Sequence, residues 1–126
     1  MNPLLSHAAT ILPVSDVSVS IDFYVRKLGF DLTFKWQEPP TYAVVKSGDI
    51  GIHLSLKSDN YQVGQEHVSI ALFAHDVNAV YQQCLKNGMT IHTEIGDRDY
   101  GMRDFDVTDP DGHIISISQE LAGVKS

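Results

Sequence analysis

The chain repeats itself. "TILPVSDV" (Thr10–Val17) laid over "IALFAHDV" (Ile70–Val77) matches Leu12 with Leu72, Asp16 with Asp76 and Val17 with Val77, and His7 and His67 stand at the same offset of sixty. Each copy runs on into apolar residues at helical spacing and stops at a glycine, "RKLGF" at Gly29 and "LKNGM" at Gly88. Further on, "GDIGIHLSL" is echoed by "DGHIISIS" at an offset near sixty-three. A repeat that fills a chain constrains its architecture strongly, because each copy must build the same supersecondary unit. A chain of 126 residues holds two copies of about sixty.

Each copy reads as strand, helix and three strands. Asp16 and Asp76 are N-cap residues at the helix starts. Val17, Ile21, Tyr24 and Leu28 recur at helical spacing in the first helix, and Val77, Val80, Tyr81 and Cys84 in the second. Gly29 and Gly88 supply the stops, since glycine takes the left-handed backbone that ends a helix. "FDLTFKW", "TYAVVKS" and "IGIHLSLK" follow as strands in the first copy, and "MTIHTEI", "MRDFDV" and "HIISISQ" in the second, divided by "EPP", "SGD", "GDRDYG" and "TDPDG". The expectation is an α+β fold of two tandem βαβββ modules in one domain over residues 1–126. Module one spans about 7–57, a linker 58–66, and module two 67–119.

Alternation along the strands assigns two faces. Ile52, Leu54 and Leu56 oppose His53 and Ser55; Val68, Ile70 and Leu72 oppose Ser69 and Ala71. Ile115 and Ile117 oppose Ser116 and Ser118, and Thr10 and Leu12 oppose Ala9 and Ile11. The bulky faces are expected to pack on the helices. The second faces, with Ala, Ser and His, suit neither bulk water nor a core. They suit a lined cleft that leaves room for a ligand.

Composition narrows the partners. A net charge of −7 argues against a general nucleic-acid binder and is compatible with a cationic ligand. The single cysteine, Cys84, cannot close an intrachain disulfide, which fits a reducing compartment. "MNPLLSHAATILPVSD" has neither a basic start nor a long apolar run, so the expected location is cytoplasmic, with no membrane partner.

"LPVSDVSVSIDFYVRKLGF", "IALFAHDVNAVYQQCLKNG" and "YGMRDFDVTDPDGHIISI" together resemble the vicinal oxygen chelate superfamily, the group of glyoxalase I, bleomycin resistance proteins and extradiol dioxygenases. The resemblance covers about Ala9 to Gln119 and implies paired βαβββ modules forming an incomplete barrel around a central cleft. The enzymes of that group hold a divalent metal with four side chains from the first and last strand of each module. Carried over by spacing from Asp16, Asp76 and the "DPDG" turn, those positions hold Ala9, His53, Ser69 and Ser116. One imidazole among three non-ligands does not hold such an ion, so neither metal nor cofactor is expected. A shifted pair, His7 and His67, lies two residues before Ala9 and Ser69. The end motif is most similar to the bleomycin-resistance branch, which implies a metal-free homodimer that sequesters a small molecule in a cleft at the subunit boundary. The alternative is a glyoxalase-like lyase or isomerase with an atypical divalent-metal site.

The candidate ligand-binding residues are Trp36, His53, Ser69, Tyr100, Arg103 and Ser116. Trp36 offers a flat indole for an aromatic or cationic guest. Tyr100 sits in a glycine-flanked loop, and Arg103 offers a charge, with a structural ion pair as its other role. Imidazole is the side chain suited to proton transfer near neutral pH, but His53 lacks any orienting partner identifiable in the sequence. Asp109 and Asp111 read as turn formers and Cys84 as core. No nucleophile motif is present, and no catalytic residue is assigned.

Overall fold

The computed structural model describes residues 2–64 and 66–122. The chain divides into two compact units, one up to Asp59 and one from Asn60 onward. Gln65, within the expected linker, lies outside the described residues.

In the first unit the elements are β1 (Thr10–Val14), α1 (Val17–Asp22), a π turn (Phe23–Lys27), β2 (Asp31–Trp36), β3 (Tyr42–Ser47) and β4 (Ile50–Leu56). In the second they are β5 (Val68–Phe73), α2 (Val77–Lys86), β6 (Ile91–Asp97), β7 (Met102–Thr108) and β8 (Ile114–Glu120). The sheets are ordered β1-β4-β3-β2 and β5-β8-β7-β6, the same order by position in each copy. The first strand of each copy pairs parallel to the last, and the other pairs are antiparallel. The chain is thus an α+β fold of two tandem βαβββ modules.

The helix starts follow from capping. Asp16 and Asp76 keep extended backbones, and their carboxylates accept from Val19 N and Ala79 N at 3.2 and 3.1 Å. Gly29 and Gly88 take positive φ of 78° and 69°, which releases the chain into β2 and β6. The buried face of α1 differs from the expected one. Val17, Ser20, Phe23 and Tyr24 are buried, while Ile21 and Leu28 are half-buried. The cause is the π turn, which carries an extra residue and lets the adjacent Phe23 and Tyr24 both go inward. Their rings meet edge to face at 5.0 Å, and Tyr24 meets Phe30 at 6.2 Å.

Sheet one buries Leu12, Val14, Ala43, Val45, Ile52 and Leu54. Sheet two buries Ile70, Phe105, Val107, Ile115 and Ile117, and α2 contributes Val77 and Cys84 to this core. Tyr81 of α2 packs edge-on against Phe105 at 4.9 Å. Two apolar residues depart from the expected core face. A bulge between Val68 and Ile70 breaks the alternation of β5 and leaves Val68 exposed, and Leu56 is exposed at the end of β4.

Candidate functional site

The register arranges the second face of sheet one in rows. Residues paired directly across strands share a face, and rows two residues apart are separated by about 7 Å. The middle row is Ile11, His53, Val44 and Phe34. The next row is Pro13, Ser55, Tyr42 and Trp36. On the other side Gly51, Lys46 and Asp31 form a third row. The expectation of a small, mildly polar face therefore needs correcting for this module. Ile11, Phe34 and Trp36 are 60%, 48% and 57% exposed, so β1 and β2 bring large apolar groups to it.

His53 stands at the centre of this face, half-buried. The Tyr42 hydroxyl shares a 2.7 Å hydrogen bond with its Nδ1, and the two rings meet edge to face at 5.5 Å. Tyr42 is the orienting partner that sequence reading did not find. The signal was available, since "TYAVVKS" and "IGIHLSLK" form a hairpin whose parity sets Tyr42 and His53 on one face. A cavity of about 460 Å³ opens beside His53, lined among others by His7, Ala9, Lys46, Asp49 and Gly51. Ala9, His53 and the shifted candidate His7 thus border one space. His67 stands exposed before β5 in the other module.

On the second face of sheet two, Ala71, Ser116, Asp106 and Thr93 form one row, and Phe73, Ser118, Asp104 and Gly96 the next. This face carries mostly small and polar side chains, with the 72% exposed Phe73 at the end of β5. Ser116 is half-buried within it. Ser69 lies in the β5 bulge, its hydroxyl 3.3 Å from Nδ1 of the buried His113.

Tyr100 stays in a loop, 67% exposed, with its hydroxyl donating to the Asp104 carboxylate. Arg98 closes the group, its Nε donating to Asp104 at 2.7 Å and its Nη2 to the Glu94 carbonyl at 2.8 Å. A Cβ on Gly96 would stand 3.0 Å from Arg98 Nη1, so the absence of a side chain there admits the guanidinium. The carboxylate of Asp104 holds the Tyr100 phenol above its ordinary value and does the same for Arg98. Arg103 lies on the opposite face of β7 from Asp104 and Ser116. There it donates to Asp97 at 2.6 and 3.2 Å and to Asn78 at 3.3 Å, and it draws the Asp97 carboxyl below its usual range. Its charge is committed to an ion pair, the structural alternative to ligand anchoring.

The remaining candidates have structural tasks. Asp109 caps its own turn, accepting from the Asp111 and His113 amides at 2.9 Å. Burial pushes the Cys84 thiol up to about 11, which keeps it protonated and unreactive near neutral pH.

A model of the Glyoxalase/Bleomycin resistance protein/Dioxygenase superfamily matches residues 4–117. The chain belongs to this superfamily. Among its relatives, a bleomycin resistance protein from Geobacillus stearothermophilus is 31% identical over 127 aligned residues, covering 87% of this chain and 93% of the relative. Among solved structures of the superfamily's fold, TnmS3, an antibiotic binding protein from Streptomyces sp. CB03234, is 25% identical with a TM-score of 0.75. The match covers 94% of this chain and 99% of that one. TioX from Micromonospora sp. ML1 is similar in fold, with a TM-score of 0.78 at 21% identity over 92% of this chain and 99% of that one.

The metal of the superfamily's enzymes does not fit these residues. Its four expected positions hold a methyl group, two hydroxyls and one imidazole whose Nδ1 is already bonded to Tyr42. A neutral serine hydroxyl is a weak ligand for a divalent ion beside imidazole or carboxylate. Among the described residues no three His, Cys, Asp or Glu side chains stand together as a ligand set. Among the same residues no helix is long and apolar enough to cross a membrane.

Proposed function

We propose that the protein sequesters a small organic molecule with an aromatic or cationic group, without a metal, in the manner of a drug-binding resistance protein. Both modules serve one domain, consistent with a family match that spans them. The observation that carries this reading is the exposed aromatic face of sheet one. Phe34 and Trp36 stay open beside His53 and Tyr42, where an ordinary solvated sheet would carry charged side chains. Ser69, Ser116 and Tyr100 are the corresponding contacts of module two. Arg103 is left out, since its guanidinium is spent on Asp97. The names of two relatives, a bleomycin resistance protein and an antibiotic binding protein, support the same class of task. The proposal includes a cytoplasmic homodimer, supported by open strand edges and exposed apolar side chains that a second copy could cover.

Trp36 is the only tryptophan, so its fluorescence reports on this face alone. Titration with bleomycin should change that fluorescence saturably. An unchanged signal, together with near-stoichiometric divalent metal in protein purified without a metal column, would overturn the reading and favour the lyase alternative.

A further inference from the structure

His53 is the one polar side chain in the middle row of the sheet-one face, with Ile11 on one side and Val44 and then Phe34 on the other. Its ring is fixed at one nitrogen by Tyr42, 2.7 Å away. A neutral imidazole has one donor and one acceptor nitrogen. The phenol is the more acidic of the two groups and the unprotonated ring nitrogen the more basic. The stronger pairing is therefore Tyr42 O–H donating to Nδ1. The ring proton then resides on Nε2, because the bond made by one nitrogen sets the state of the other.

A second donor belongs to the same cavity. Lys46 lines it together with His53, and its stem crosses Gly51, with Cε 3.9 Å from where a Cβ would stand. Lys46 makes no ion pair among the described residues. Two carboxylates are nevertheless close in the lattice of the sheet: Asp31 directly across from Lys46, and Asp49 on the cavity wall. They offset the charge of the lysine, so a full anion gains little there. A neutral acceptor can take both hydrogen bonds without that repulsion.

We propose that this cavity receives the carbonyl oxygen of a neutral aromatic ligand. Its ring lies along Val44 and Phe34, and its oxygen accepts from His53 Nε2–H and Lys46 Nζ. Tyr42 is the positioning residue that turns the imidazole into a donor. The inference rests on the face being a ligand seat and adds the chemical group that is read there.

The test uses the full chain labelled with 15N-histidine and three probes of one shape: 2-acetonaphthone, 2-naphthoate and 2-ethylnaphthalene. In the free protein the His53 ring should show the Nε2-protonated pattern. The ketone should bind about five- to tenfold more tightly than either other probe, as one or two added hydrogen bonds allow, and should shift the Nε2 resonance. Tyr42→Phe should abolish the tautomer bias. Lys46→Met, at an exposed position, should cut the ketone's advantage about threefold or more. An Nδ1-protonated ring, or naphthoate or ethylnaphthalene binding as tightly as the ketone, would overturn the proposal. If all three probes bind equally at Phe34 and Trp36, the carbonyl assignment fails and the ligand seat stands. If none perturbs that face, both fail.

Discussion

At the scale of single residues, Asp104 shows how one carboxylate can organise a surface. It is 8% exposed, yet it carries the Arg98 ion pair and the Tyr100 hydrogen bond. Because the bond to Asp104 favours the protonated phenol, Tyr100 ionises above its ordinary value of 10.0. A raised folded-state value contributes stability below the unfolded value, and that contribution is lost as pH climbs through the folded one. Ring-labelled tyrosine NMR should find Tyr100 titrating late, and Asp104→Asn should bring it back toward 10.0. An unchanged titration in the variant would show that the bond does not set it. Legibility in sequence was uneven at this scale. His53 could be placed from strand alternation alone. Tyr42 and Lys46 needed the register of β3 against β4, and the Arg98–Asp104–Tyr100 group needed a bulged β6 that no local pattern announces.

At the scale of elements, the repeat and the caps carried most of the information. Every strand and both helices were legible, because alternation, Asp N-caps and glycine stops agreed in both copies. The π turn was not, since a 3.6-residue period fits α1 almost as well and by itself turns Ser20, three residues after Val17 and four before Tyr24, toward the core. Ser20 is fully buried, and its hydroxyl has no hydrogen-bond partner. A buried unpaired hydroxyl costs about 1–3 kcal/mol. Ser20→Ala is therefore expected to leave stability unchanged or raise it, by up to about 1 kcal/mol, in urea denaturation. Asp76→Ala should act in the opposite direction, losing about 1 kcal/mol with its cap on Ala79. Destabilisation by the serine substitution comparable to that of the cap would contradict this account of α1.

At the scale of the whole molecule, the two sheets share a topology and differ in what they expose. Sheet one sets Ile11, Phe34 and Trp36 around His53, and the second face of sheet two carries Ala71, Phe73, Ser116, Ser118 and two aspartates, with Phe73 72% exposed. Duplication accounts for the common frame, and divergence of the second faces accounts for the different chemistry on it. The small-polar expectation fits β8 in sheet two, while β5 ends on the exposed Phe73 on the same face. It missed the aromatics of β2, because a strand exposed along its whole length offers no alternation of burial to read. A homodimer is expected from the exposed apolar side chains and open edges. Sedimentation at micromolar concentration should give twice the 13.9 kDa chain mass, and a species of chain mass alone would contradict it.

The central claim is that an aromatic seat, rather than a catalytic histidine, defines this protein. Calorimetric titration of bleomycin into the native chain, Trp36→Ala and His53→Ala tests it most directly. Loss of the indole contact should weaken binding by about tenfold or more, and loss of the imidazole by about fivefold, the value of one hydrogen bond. Absence of binding to the native chain would contradict the claim. So would full affinity in Trp36→Ala alongside its abolition in His53→Ala.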